Sequence, residues 1–422
     1  MDNSTYNIKK LRNQFLKSYH NNDFVKAQIN GENLIEYYRK NNLTGLPEYG
    51  NDLFNLACAY DEDGLCDKAA AMYLKAADAV EKQSGKCLKL SDIYNNLGIV
   101  HTSLHQADMA LAYFKKCYNI RRSFLQEGSR DLTDACYNLG SAYKVLHRFS
   151  EAAQYYAKAL NARGERDLSY GDNLYNLGMC YIETKDFAIG LDYMEKALPI
   201  YEAITSNPDE YITALGIYAS VLYRVGKYKE SMERHNALIE LIKEHYGTAQ
   251  PFYANALSRL ADCYAKLDKP EQGITLKQKA LNIIKKSLGT NHIFYSSCLS
   301  ELGDFYLQAM DYGKAATLYS EALEIRTKIL GLDNEECIEY IQVLANIYTL
   351  MQLYKKAEDL LNYALNNLPK TNGSYSNLVL ELVKLYIETQ DGEGLNRAFL
   401  IFNKIHPEKS FDEMLDMAED IN

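Results

Sequence analysis

Apolar residues recur at three- and four-residue spacing along almost the whole chain. Short polar-aromatic breaks such as Lys185-Asp186-Phe187, Gly226-Lys227-Tyr228 and Met310-Asp311-Tyr312 interrupt them. That spacing on both sides of a short break predicts amphipathic helices joined as tight hairpins. With 7 prolines and 23 glycines in 422 residues, long uninterrupted helices are feasible.

The helical pattern repeats. Segments around Ala57, Gly98, Gly140, Gly178, Ala219, Ala261, Gly303 and Ala345 align, with spacings of 41, 42, 38, 41, 42, 42 and 42 residues. Twelve residues further on stand Ala69, Ala110, Ala152, Gly190, Ser231, Gly273, Ala315 and Ala357, all small. Three residues after the first small position come Tyr60, His101, Tyr143, Tyr181, Leu222, Tyr264, Tyr306 and Tyr348. Nineteen after it come Ala76, Cys117, Ala159, Ala197, Leu238, Ala280, Ala322 and Ala364. Two helices approach closely only where both present small side chains, and a ring fills the gap where their axes diverge. The period therefore describes a stack of antiparallel helix pairs, which grows by addition and removes the inference of several domains from length alone.

The frame Asn-Leu-Gly-x-x-Tyr, a mid-repeat Ala and a later Tyr/Phe-x-x-Ala resembles the tetratricopeptide repeat family over about Asn51 to Leu365. The period of about 42 residues is similar to the long-repeat, kinesin light chain-like variety. Leu288-Gly289 with His292, Leu330-Gly331, and Tyr246-Gly247 with Pro251 match its linkers in part. The resemblance implies an all-α, right-handed superhelical solenoid. Residues 8–45 read as a degenerate amino-terminal repeat or cap, with Phe15, Phe24 and Ala27 approximating the frame. Residues 50–370 read as eight repeats, and residues 375–422 as a degenerate repeat with a capping helix, through Leu382, Tyr386 and Ala398.

A formal net charge of −10 argues against broad nucleic-acid or anionic-membrane binding, which rest on basic surface. The start, Met1 to Phe15, carries no secretory signal pattern, and no run approaches a membrane span. Nine cysteines are scattered without a close metal-ligand pair; several, such as Cys58, Cys136, Cys180 and Cys263, sit in apolar helical patterns as small hydrophobes. The expectation is a cytoplasmic protein.

No catalytic, cofactor or metal constellation emerges. His101 and His105 are spaced to chelate a metal, but His101 occupies the tyrosine slot and reads as packing. Asp61-Glu62-Asp63-Gly64 lacks the alternating ligands of a calcium loop, and Gly392-Glu393-Gly394 lacks the strand and third glycine of a dinucleotide fingerprint.

By the resemblance, the first helix of each pair lines a concave groove, and the residue two before the small position points into it. That residue is Asn55, Asn96, Asn138 and Asn176 in four successive repeats. A carboxamide both donates and accepts, so four in register could pair with the backbone of an extended peptide; satisfying local helix ends is the equal alternative. Tyr137 and Tyr175 precede two of these asparagines and offer contact area, or serve as filler between helices. Lys144, Arg224, Arg259 and Lys266 could grip a carboxylate, although Asp262 stands ready to neutralise Arg259. The expected function is binding of a protein or peptide, acidic or aromatic-containing, with neither nucleic acid nor membrane as partner. The alternatives are a bacterial signalling-peptide sensor similar to the Rap-like regulators, whose effector domain precedes their repeats, and an assembly scaffold or regulatory subunit of an enzyme.

Overall fold

The computed structural model describes residues 3–161, 168–203, 208–369 and 374–420. Its described residues form 21 helices and no strand. Contacts divide the chain into two compact units, Met1–Ala214 and Leu215–Asn422.

Unit 1 holds α1 (Asn3–His20), α2 (Phe24–Lys40), α3 (Pro47–Glu62), α4 (Cys66–Ser84), α5 (Leu88–Ser103), α6 (Ala107–Phe124), α7 (Arg130–Val145), α8 (Phe149–Asn161), α9 (Leu168–Glu183) and α10 (Phe187–Glu202). The division falls inside α11 (Asp209–Arg224). Unit 2 continues with α12 (Tyr228–Tyr246), α13 (Pro251–Lys266), α14 (Pro270–Leu288), α15 (Ile293–Gln308), α16 (Tyr312–Leu330), α17 (Glu335–Leu350), α18 (Tyr354–Asn367), α19 (Tyr375–Glu388), α20 (Gly392–Phe402) and α21 (Phe411–Asp420). From α1 to α10, and again from α12 to α20, every helix packs against the next in sequence, and α21 folds back on α19. The fold is an all-α solenoid of stacked helix hairpins.

The small residues lie where the paired helices touch. Ala57, Ala69, Ala219, Ala261, Ala315 and Ala357 are fully buried. A β-carbon added at Gly178 would stand 2.8 Å from the Gly190 carbonyl oxygen, so the two backbones meet there.

The turns have a regularity of their own. Seven residues after each small position, the backbone enters the left-handed region, at Gly64, His105, His147, Lys185, Gly226, Asp268, Met310 and Gln352. Only two of these eight are glycine. The position resists identification from sequence because its requirement is a dihedral angle rather than a residue type. Second helices end on glycines with positive φ at Gly85, Gly247, Gly289 and Gly331, each donating its N–H to the carbonyl four residues back at 2.9–3.2 Å.

At the amino-terminal end, Arg12 on α1 holds Asp52 on α3 through Nε at 2.8 Å and Nη2 at 2.7 Å, and Tyr38 on α2 donates to the same carboxylate at 2.8 Å. Asp52 is 1% exposed, so this network fastens three helices together.

Met310 is exposed and carries a φ of 57°, which disfavours a side chain without a local hydrogen bond to offer. Met310→Gly is expected to raise unit 2 stability by up to about 1 kcal/mol, and Gly226→Ala to lower it by about 1 kcal/mol, in urea melts. Equal midpoints for all three proteins would remove the conformational argument.

Candidate functional site

The close approach at each small residue has a second participant, sixteen residues further along the chain on the second helix. This slot holds Tyr73, Phe114, Tyr156, Met194, His235, Lys277, Tyr319 and Leu361, all buried. Where the small residue of the first helix is glycine, the side chain lies across it. A β-carbon on Gly140 would be 2.9 Å from the Tyr156 ring, one on Gly303 2.8 Å from the Tyr319 ring, and one on Gly98 would overlap Phe114. Because nothing blocks the way, the far end of the slot residue reaches the polar side chains of the first helices. Tyr73 Oη donates to Cys58 Sγ at 3.3 Å and accepts from Asn96 Nδ2 at 3.2 Å. Tyr156 Oη and Ser141 Oγ are 3.0 Å apart, and Tyr319 donates to Asp304. The first-helix face is thus supported from behind by polar tips. The Tyr/Phe-x-x-Ala element of the frame marks this slot in four repeats, while the occupants of the other four, Met194, His235, Lys277 and Leu361, share length rather than type.

In unit 1, the predicted asparagines lie on α3, α5, α7 and α9, three half-buried and Asn176 8% exposed. They do not form four equivalent rungs. Asn138 donates to Asn95 Oδ1 at 2.8 Å, and Asn96 to Tyr73. Asn176 accepts from Lys144 Nζ at 2.6 Å and donates to Tyr137 Oη at 3.3 Å. Among the described residues the Asn55 carboxamide has no hydrogen bond, and the side-chain carboxamide oxygens of Asn96 and Asn138 accept none. The structure brings Tyr137, Lys144 and Asn176 into one cluster, with the Tyr137 ring edge-on to Tyr156 at 5.6 Å. Burial pushes the Lys144 ammonium below its ordinary pKa. Tyr175 packs on Tyr201 at 6.1 Å, and burial raises its hydroxyl to about 12.

Unit 2 presents a different face. Arg259 and Lys266 are exposed on α13, and Arg224 near the end of α11. Arg259 stands 3.8 Å from Asp262. Asp262 belongs to a network built around Lys277, the slot residue of α14, which is 3% exposed. Lys277 Nζ lies 2.9 Å from Asp262, 2.8 Å from Glu301 and 2.6 Å from Ser258 Oγ, and Ser258 donates to Glu301 at 2.6 Å. Burial raises the Asp262 carboxyl despite Lys277. Burial also acts to raise Glu301, but Lys277 and Ser258 outweigh it, and its pKa falls. The two carboxylates share one cation unequally because Ser258 donates only to Glu301. Burial raises Asp304 too, against the opposing bond from Tyr319. Asp262 and Glu301 thus lie within electrostatic reach of Arg259, one of the cations that the sequence offered as a grip for an acidic ligand.

Models of the tetratricopeptide repeat match residues 89–165, 252–328, 299–370 and 171–204, together more than half of the chain. The chain belongs to the tetratricopeptide repeat family. It is 27% identical over 207 residues to response regulator aspartate phosphatase E of Bacillus subtilis (strain 168), a match covering 48% of this chain and 50% of that one. The chain thus spans about half the length of this curated relative. Among solved structures, the apo form of RapI superposes with a TM-score of 0.55 at 15% identity, over 85% of this chain and 98% of that one, a likeness of fold alone. The nearly identical TPR-like repeats of a Podosopora anserina putative kinesin light chain give a TM-score of 0.43 at 14% identity, over 48% and 98% of the two chains.

Elsewhere in the tetratricopeptide array, His101 packs in its slot, stacked on Tyr113 at 5.2 Å with Nδ1 2.6 Å from Gln106 Oε1. Asp63, at the foot of α3, accepts from Gln28 at 2.8 Å, and Asp391 caps α20 by accepting from Gly394 at 2.9 Å. Among the described residues, no three His, Cys, Asp or Glu side chains come together to hold a metal, and no helix is long and apolar enough to cross a membrane.

His235, the slot residue of α12, is 2% exposed with Nδ1 unpaired. Burial, helped by the charge on Arg259, lowers its pKa to about 4. The unfolded chain takes up this proton near pH 6.5, the folded chain only near pH 4, so stability is complete above 6.5 and falls as the pH drops through that window. The loss attributable to His235 is about 3 kcal/mol. His235→Phe, which copies the ring that Phe114 places in the same slot, is expected to flatten the acid limb of unit 2 melts by that amount. An unchanged limb would mean that the imidazole is not held neutral.

Proposed function

We propose that this tetratricopeptide array binds an extended peptide or linear motif along the first-helix face of unit 1, and that the ligand places a carboxylate at Lys144. The carrying observation is the condition of Lys144. It is half-buried, its pKa is lowered by burial, and its hydrogen-bond partner is the neutral carbonyl of Asn176. A partly desolvated ammonium without a counter-ion is unfavourable, and a carboxylate arriving from a ligand would recover that free energy. The uncommitted carboxamide atoms of Asn55, Asn96 and Asn138 are suited to the backbone of an extended chain, with Tyr137 and Tyr175 beside them as contact surface. In unit 2, Asp262 already accompanies Arg259, which favours unit 1 for an acidic ligand and leaves Arg224, Arg259 and Lys266 as a weaker candidate site. The array acts by binding rather than by catalysis. Its nine free thiols suit a reducing, cytoplasmic setting.

The test starts from a phage-displayed random peptide library panned on the full chain, with selected peptides then measured by calorimetry. Peptides rich in Asp or Glu are expected. Lys144→Met is expected to weaken them at least about tenfold, as is the Asn138→Ala/Asn176→Ala pair, about 1.4 kcal/mol each, with little change in melting temperature. Selected peptides without acidic residues, or full affinity in both variants, would defeat the reading.

A second reading, a sensor of short signalling peptides, is favoured by the 27% identity to response regulator aspartate phosphatase E. Small-angle X-ray scattering with and without a selected peptide separates the two: a fall in radius of gyration marks a switch, and an unchanged profile a static clamp.

A further inference from the structure

Charge is not spread evenly over this chain of net charge −10. Helix α1 contains Lys9, Lys10, Arg12, Lys17 and His20 and no acidic residue. Helix α21 contains Asp412, Glu413, Asp416, Glu419 and Asp420 and no basic residue. The two sets are also arranged alike. One face of α1 packs on α2, while Tyr6, Lys9, Lys10, Asn13, Gln14 and Lys17 form an exposed stripe at three- and four-residue spacing. On α21, Met414 and Ala418 are buried, and the five acids form the exposed stripe.

Arg12 is spent internally on Asp52 and Tyr38. Lys9, Lys10 and Lys17 have no carboxylate on their own helix to pair with, and they make no ion pair among the described residues. On α21, only Glu413 does, with Lys409 at 3.7 Å.

We propose that the lysine face of α1 is a docking surface for the acidic face of α21 of a second copy of this chain. The stripes match in length. Lys9 to Lys17 and Asp412 to Asp420 each span nine residues, about 12 Å of helix from first to last. They match in chemistry, with cations facing carboxylates and the Tyr6 ring, 61% exposed, adding apolar area beside Leu415 and Met417. Antiparallel docking also sets opposed helix dipoles side by side. Because the two faces are different surfaces of one chain, the contact is heterologous. Exposed ion pairs contribute little each, so the association is weak and strongly salt-dependent.

Sedimentation of the full chain over a concentration series tests this at about 0.01 M and about 1 M salt, where screening lengths are roughly 30 Å and 3 Å. Wild type is expected to show mass rising with concentration in low salt and monomer in high salt. Lys9→Glu/Lys10→Glu/Lys17→Glu should remain monomeric in low salt, as should Asp416→Lys/Glu419→Lys/Asp420→Lys, whose new lysines suit the end of a helix. An equimolar mixture of the two variants should associate again, since each supplies the charge the other has lost. That recovery distinguishes docking from misfolding and from capture of some other anion. Monomeric wild type throughout, association of either variant alone, or a mixture that stays monomeric would overturn the proposal.

Discussion

The constraint on which the molecule depends is the close approach of two helices at one small residue per repeat. At Gly178 and Gly190 the backbones nearly touch, and even a methyl group would intrude. That closeness leaves a gap over the small residue that a side chain from the second helix must fill. Tyr156 over Gly140 and Tyr319 over Gly303 fill it with rings, and Met194 over Gly178 with its flexible chain. Packing requires only a long side chain here. Whatever polar atom ends that side chain is delivered to the first-helix face.

The chemistry of that face is thus inherited from the core. Where the slot holds tyrosine, the face receives a neutral hydroxyl, which meets Asn96 from Tyr73, Ser141 from Tyr156 and Asp304 from Tyr319. Where it holds Lys277, a buried ammonium gathers Asp262, Glu301 and Ser258 around itself, beside the exposed Arg259. Repeats of one scaffold thus surround the same buried position with different polar groups. Lys144 in unit 1 stands outside this logic, because it comes from a first helix and meets a carbonyl rather than a carboxylate.

Much of this was legible in the chain. The intervals between small residues announced paired helices, since that spacing has no other economical cause. The asparagines stood out because they recur in register. Their actual bonds were not legible: Asn138 turns to Asn95, and Asn176 joins Lys144 to Tyr137, across distances of about 40 residues in sequence that stacking reduces to contact. Arg259 illustrates the same limit. Its neighbour Asp262 was visible three residues on, but the stronger claim on Asp262 comes from Lys277 on the next helix.

What the sequence determined by itself was the repeating geometry: helices, hairpins, the positions where they touch, and the family to which the array belongs. Such features follow from side-chain size and periodicity, which are local properties repeated many times. What only the tertiary structure decided was which polar groups meet, which are left without partners, and which sign of charge each stretch of the face presents. A lysine reads the same in any sequence. Its meaning here depends on whether burial surrounds it with two carboxylates, as at Lys277, or with one amide, as at Lys144, because charge–charge energies depend on distance and solvent exclusion rather than on order along the chain.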